Sequence, residues 1–78
     1  MLHEIDVLQL LRESADNYIS ALNSRDIDWM EYKGQIKAYL KVLDDKELNY
    51  KYKYIDIEKA EVLIEDLRIK IKDLRSKL

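Results

Sequence analysis

Residues 28–44 read DWMEYKGQIKAYLKVLD and form the most informative segment of this 78-residue chain. Apolar side chains recur in it every three or four residues, the spacing that brings side chains to one face of a helix. They are Trp29, Tyr32, Ile36, Tyr39 and Leu43, with Leu40 widening the stripe. The segment therefore predicts an amphipathic helix over residues 28–46, whose aromatic face must be buried against another element.

Two sequence signals mark the start of this helix. Asp28 stands at the N-cap and Glu31 follows three residues later, which is the spacing of a capping box. Ile27 and Tyr32 are spaced to form a hydrophobic staple, a contact that fixes the direction in which the chain joins the helix.

Gly34 is the only glycine in the chain. Inside a helix glycine costs roughly 1 kcal/mol relative to alanine, so its presence calls for an explanation. One interpretation is the close approach of a neighbouring helix. The other is a notch in a contact surface that a partner's side chain fills, and spacing alone does not choose between them.

The N-terminal part of the chain carries a second stripe with helical spacing and predicts a helix over residues 3–22. Val7 and Leu10 fall off the stripe, and so broad an apolar surface predicts that this helix touches more than one neighbour. The neighbours are either two helices of the same chain, or one of the same chain and one of another subunit. The polar residues 23–26 form a turn short enough to make the first two helices an antiparallel hairpin. The stripe consists of Ile5, Leu8, Leu11, Ala15, Tyr18 and Leu22, with Ile19 beside them.

A third helix is predicted over residues 56–77, with Asp56 as its N-cap. Its apolar residues alternate at four and three positions, as in a short heptad seam. On the outer faces, Asp66/Lys70 and Asp73/Lys77 are spaced to form ion pairs along the helix. The basic residues Arg68, Lys70, Lys72, Arg75 and Lys77 predict a solvated C-terminal face, and secondarily a patch for polyanions. The seam comprises Ala60, Ile64, Leu67, Ile71, Leu74 and Leu78, with Leu63 beside it.

The predicted linker, residues 47–55, contains an alternation of tyrosine and lysine: Tyr50, Lys51, Tyr52, Lys53 and Tyr54. In an extended chain the three tyrosines would share one side. They could lie on the helical core, or act with the lysines as a stacking platform for single-stranded nucleic acid. A third interpretation is edge-to-edge pairing with another chain.

Composition limits the classes of protein. The chain is near the size at which a single core gives only a few kcal/mol of net stability. Because it has no cysteine and so no disulfide, added stability is expected from self-association or from a protein partner. No apolar run approaches the ~20 residues that span a bilayer, which predicts a soluble, cytoplasmic protein without membrane contact. A formal net charge of −2 gives no overall attraction to nucleic acid.

Catalytic, cofactor and metal sites are not predicted. The only histidine, His3, lies with Glu4 and Asp6 at the chain end and has no second histidine to complete a metal site. Neither Ser14 nor Ser20 has the histidine and acid that activate a nucleophile, and a chain with one glycine has no glycine-rich phosphate loop. The paired acids Asp26/Asp28 and Asp44/Asp45 are interpreted as cap and loop residues.

The pattern acid-Trp-x-x-Tyr-x-Gly-Gln-Ile-x-x-Tyr-x-x-x-Leu, from Asp28 to Leu43, resembles small helical-hairpin proteins encoded by tailed bacteriophages. The resemblance implies a phage or prophage origin, with localisation in the host cytoplasm or the virion. It also implies a role as an accessory structural or host-directed protein, and it identifies no site residue.

Together these patterns predict a single all-α domain over residues 1–78, a helical hairpin plus a C-terminal heptad helix. The expected function is non-catalytic protein binding as a homo-oligomer, a dimer or higher, through Trp29, Tyr32, Ile36 and Tyr39. The alternative is a nucleic-acid-associated protein that uses residues 50–54 and the basic C-terminal helix.

Overall fold

The structure is a computed structural model that describes residues 3–77. Its helices, in chain order, are α1 (Glu4–Asn23), α2 (Trp29–Leu43), α3 (Lys46–Lys51) and α4 (Ile57–Ser76). The described residues contain no strand. The all-α fold class is therefore confirmed. The short helix α3 is an addition that the sequence patterns did not predict.

Helix α1 lies at the centre, with α2 packed on one side and α4 on another. Ser14 Oγ donates a hydrogen bond to Gln35 Oε1 at 3.0 Å, and the ring of Tyr18 meets that of Trp29 edge to face. Because Ser14 precedes Tyr18 whereas Gln35 follows Trp29, α1 and α2 run antiparallel. The predicted hairpin, and the two neighbours predicted for the first helix, are confirmed.

Helix α4 also runs antiparallel to α1. Near the C-terminal end of α1, the Tyr18 hydroxyl donates to the Ile55 carbonyl at 3.4 Å, just before α4 begins. At the other end, Ile5 and Leu74 line the same surface depression. The apolar seam of the C-terminal helix is thus covered by α1 of its own chain.

The segment between α2 and α4 completes the core. No Cα atom of α2 lies within 8 Å of a Cα atom of α4 across their described lengths, so these helices leave a gap between them. Leu48, Tyr52 and Ile55 are buried in one cluster with core residues of α1, α2 and α4, which places the segment over that gap. We call residues 45–56 the crossover segment, because they return the chain from one end of the bundle to the other.

The linker predicted over residues 47–55 contains most of the short helix α3 and is not an extended chain. Asp45 caps α3, since its carboxylate accepts from the Leu48 backbone N–H at 3.1 Å. The three tyrosines do not share a side: Tyr52 is 1 % exposed, whereas Tyr50 and Tyr54 are 87 % and 78 % exposed. Strand pairing through this segment is likewise contradicted by its helical and turn structure.

The start of α2 also differs from the prediction. The Asp28 side chain accepts no capping hydrogen bond, and its own backbone N–H donates to Asp26 Oδ1 at 2.9 Å. That bond forms part of a turn in which Asp28 already has helical dihedral angles, so the predicted capping box does not form. Ile27 is exposed and does not form the predicted staple.

Helix α4 begins as predicted but buries a slightly different stripe. Asp56 accepts from the Lys59 N–H at 2.8 Å, which confirms it as the N-cap. The buried residues are Ala60, Leu63, Leu67 and Ile71, so the centre of the stripe departs from a strict heptad. Ile64 and Leu74 lie half-buried at its margin, and the predicted seam residue Leu78 falls outside the described residues.

Gly34 does not mark a close helix contact. A Cβ atom built at this position would meet no heavy atom of another element within 4 Å. The close-approach interpretation was therefore wrong, and the glycine lies in open space on the exposed side of α2.

Candidate functional site

The aromatic face that the sequence assigned to a partner is turned toward the chain's own core. Ile36 has no exposed surface, and Trp29, Tyr32 and Tyr39 pack half-buried against the core cluster. In this fold Ile36 offers no area to another molecule. Helical spacing identified the face that is buried, but spacing cannot tell whether its cover comes from the same chain.

A different surface carries the most exposed aromatic side chains. Tyr50 and Tyr54 border an open depression of about 650 Å³ in the crossover segment. The remaining lining residues are Glu47, Lys51, Lys53 and Lys59, and we call the whole set the Tyr/Lys surface. The Lys53 ammonium lies 5.8 Å from the centre of the Tyr54 ring, within reach of a cation–π interaction.

Tyr52, between the two exposed tyrosines, points inward and fastens the segment. Its hydroxyl donates a short hydrogen bond to the carboxylate of Asp66 on α4. The same carboxylate accepts from Lys51 Nζ at 2.7 Å. The buried ring and the two polar bonds together fix the backbone on either side of Tyr52, and so fix where Tyr50 and Tyr54 emerge.

Asp66 therefore does not form the ion pair with Lys70 that the sequence predicted. Lys70 instead lies 4.0 Å from Asp45, the cap of α3. Asp66 thus bonds to Lys51 and Tyr52 of the crossover segment and not to Lys70, its neighbour one turn along α4. The other predicted pair, Asp73 with Lys77, is confirmed at 3.3 Å.

These contacts shift the pKa values of the groups involved. Burial raises the pKa of Tyr52, and the hydrogen bond and negative charge of Asp66 raise it further. Partial burial acts to raise the pKa of Asp66. The hydrogen bonds from Lys51 and Tyr52 and the charges of Lys51 and Lys70 outweigh that effect and hold this pKa below its ordinary value. Burial, followed by the charge of Asp56, raises the pKa of Tyr18.

An acidic and apolar surface lies at the turn between α1 and α2. Ile27 and Met30 are 78 % and 61 % exposed, and the exposed acids Asp26, Asp28 and Glu31 stand around them. We call these five residues the turn surface. It lies at the same end of the bundle as Lys53 and Tyr54, because Tyr18 contacts both Trp29 and Ile55.

The remaining chemical features are few. Among residues 3–77 no three histidine, aspartate or glutamate side chains come together as a metal site would require, and His3, Glu4 and Asp6 are no exception. No helix of that range combines the length and hydrophobicity needed to cross a bilayer.

Comparisons of the chain with protein-family models, with curated proteins and with solved structures found no match. The resemblance to phage hairpin proteins stays a prediction.

Proposed function

We propose that the protein is a non-catalytic protein-interaction module that binds through its Tyr/Lys surface. The observation that carries this proposal is the exposure of Tyr50 and Tyr54 on either side of the buried Tyr52. Tyrosine supplies a large contact area with few rotatable bonds and is enriched among the residues that dominate interface energy. Two exposed tyrosines contribute little to the stability of a small fold, so a binding role explains their exposure better.

The anchoring of Tyr52 supports the same proposal. Because its ring is in the core and its hydroxyl is bonded to Asp66, the backbone that carries Tyr50 and Tyr54 is held before a partner arrives. A surface that is ordered in advance loses less conformational entropy on binding. Tyr52 and Asp66 would then be positioning residues, without contact to the partner.

The partner we propose is a second copy of the chain, docking its turn surface on the Tyr/Lys surface. Three lysines and one acid, Glu47, border the first surface, and three acids border the second. Each surface also exposes two large side chains, Tyr50 and Tyr54 against Ile27 and Met30. Their charges are complementary, and complementary charge steers association and fixes its register.

The position of the two surfaces favours a two-fold dimer. Since Asp28 and Lys53 lie at the same end of the bundle, two copies meeting end to end can exchange both contacts at once. Such an arrangement is a closed, isologous interface, the commonest kind among homodimers. The C-terminal seam takes no part in it, because α1 of the same chain covers that seam.

The test is the mass in solution over a range of protein concentrations, starting from the 9.4 kDa monomer. We expect a reversible dimer that weakens at high salt, because the screening length for charges falls to about 3 Å at about 1 M ionic strength. The single variants Lys53→Glu and Asp28→Lys should each weaken dimerisation roughly tenfold or more. The double variant should recover most of the loss, because opposite charges again face each other.

Lys37→Glu is the matched control, since Lys37 is an exposed lysine of α2 that belongs to neither surface. It should leave the dimer unchanged. A chain that stays monomeric at every concentration would contradict the self-association. If the double variant fails to restore the dimer, the two surfaces do not contact each other, and only the proposal of a protein-interaction module remains.

A second candidate function is binding of single-stranded nucleic acid on the same surface. The observation in its favour is that Lys51 and Lys53 alternate with two accessible tyrosine rings, and stacking of a base on such a ring contributes about 1–3 kcal/mol. Tyr52, which the sequence included in the stacking set, is buried and cannot stack.

Fluorescence anisotropy with a labelled oligothymidylate tests this second function. Binding that falls with salt and is lost in the Tyr50→Ala/Tyr54→Ala variant would support it. A Lys37→Ala/Lys41→Ala variant controls for charge. Absence of salt-sensitive binding, or equal binding by the tyrosine variant, would remove this candidate.

A further inference from the structure

A cationic groove lies between α1 and α4, independent of the surfaces proposed above. It has a volume of about 320 Å³. The α4 residues that line the groove lie on the side of that helix away from Asp66 and the crossover segment. Arg68 and Lys72 follow Asp66 by two and six residues, which at 3.6 residues per turn places them on the opposite side of the helix. The lining comprises Gln9 and Arg12 from α1 and Arg68, Ile71, Lys72 and Arg75 from α4. Four of these six side chains are cations and none is an acid.

Arg12 is the residue that distinguishes this groove from an ordinary basic helix end. Its side chain is half-buried, and its Nε atom is buried without a hydrogen-bond acceptor among residues 3–77. A buried donor without an acceptor costs free energy, and Arg12 forms no ion pair with another residue of the range 3–77 that would offset that cost. Arg75 lies in the last turn of α4, where the negative end of the helix dipole favours a cation, but Arg12 lies in the middle of α1, where no such field acts.

We propose that the groove binds a compact phosphate-bearing anion, of the class of pyrophosphates and phosphate esters. Guanidinium groups form paired hydrogen bonds to phosphate oxygens, and Arg12, Arg68 and Arg75 supply three of them around one volume. Lys72 adds a fourth positive charge.

The surroundings of the groove favour a compact ligand over a long polyanion. Glu61 and Glu65 continue the same face of α4 toward its N-terminus, and Glu65 Oε1 lies 3.1 Å from Arg68 Nη1. A phosphate chain that ran beyond the groove would meet these acids on a protein whose net charge is −2. The positive field is therefore local and fits a ligand of groove size.

Calorimetric titration at low salt tests the proposal, with pyrophosphate and tripolyphosphate as probes and inorganic phosphate for comparison. We expect saturable binding of one probe per chain. The variant Lys72→Gln/Arg75→Gln removes two exposed cations and should weaken it tenfold or more. Lys37→Gln/Lys41→Gln removes the same charge from exposed positions of α2 and should bind as the parent protein does.

Amide chemical shifts give a second measurement that needs no variant. Tripolyphosphate should move the backbone signals of Gln9, Arg12 and residues 68–75 and leave those of residues 47–59 in place. Absence of saturable binding, equal weakening in both double variants, or shifts spread over all basic residues would each overturn the proposal. So would binding of an oligothymidylate more tightly than tripolyphosphate through the same residues, because that result would define a polyanion surface instead.

Discussion

The hydroxyl of Tyr52 is hydrogen-bonded to the carboxylate of Asp66, fourteen residues later in the chain. This pair joins the crossover segment to α4 at the point where the Tyr52 ring enters the core. Lys51 bonds to the same carboxylate and keeps it charged. One aspartate thus secures the segment that closes the gap between α2 and α4.

Substitution Tyr52→Phe keeps the buried ring and removes only its hydroxyl. Asp66 then loses one of its two donors while it remains partly buried. We expect the free energy of unfolding to fall by about 1–3 kcal/mol, the range for a hydrogen bond to a charged group. Urea denaturation measures the change.

Tyr50→Phe is the control for this substitution, because Tyr50 is exposed and outside the network. It should change stability by less than about 0.5 kcal/mol. Equal stability of Tyr52→Phe and the parent protein would mean that the bond to Asp66 contributes nothing to the fold.

Asp66 makes stability depend on pH in the acid range. Its pKa in the folded state lies below the ordinary value of 3.8, so the folded protein binds the proton less readily than the unfolded chain. The stabilisation is fully present above the unfolded pKa and is lost as the pH falls through the folded pKa. Urea unfolding from pH 7 down to pH 2 should therefore show a loss of stability that starts near pH 4 and is shallower in Asp66→Asn.

Tyr52 produces the opposite dependence in the alkaline range. Its pKa is raised above the ordinary value of 10.0, so its stabilisation is present below pH 10 and is lost as the pH rises further. Tyr52→Phe should retain more of its neutral-pH stability than the parent protein does at pH 11. A parent protein and variant that lose stability in parallel would contradict the assignment to Tyr52.

Gly34→Ala should stabilise the protein. The glycine lies inside α2 without a positive φ angle, and a new methyl group would meet no atom of another element within 4 Å. Alanine restricts the unfolded chain and favours the helix by about 0.8–1.0 kcal/mol. A rise in the thermal midpoint measures this gain, and a fall would show a constraint at Gly34 beyond the packing of this chain.

The sequence predicted those features that depend on neighbouring residues. The first and last helices agree with the structure to within one residue at each described end, because their apolar spacing and the Asp56 cap are local signals. Helix α3 was missed because the tyrosine and lysine alternation hid a weaker signal. That signal is Asp45, which caps α3 directly before Lys46. Of the buried residues Leu48, Tyr52 and Ile55, only Leu48 lies within the helix.

The candidate sites were less predictable than the helices. The spacing around Ile36 identified a buried face correctly, but its cover by α1 follows from the tertiary arrangement. Asp66 likewise bonds to residues outside its own helix, and Arg12 and Arg75, which line one groove, are far apart in the sequence. No pattern within a single helix contains that information.

Asp28 and Asp56 were both predicted as helix N-caps, but only Asp56 forms one. Asp56 accepts a hydrogen bond from the Lys59 N–H, whereas the Asp28 side chain accepts none from its helix. Asp56→Ala should therefore lower the free energy of unfolding by about 0.5–2 kcal/mol, the usual range for a lost N-cap. Asp28→Ala should change it by less than about 0.5 kcal/mol at protein concentrations where the chain is monomeric. Urea denaturation of both variants under the same conditions measures the difference. A cost at Asp28 equal to that at Asp56 would mean that the turn at Asp26 gives way in solution to the capping box that residues 28 and 31 could form.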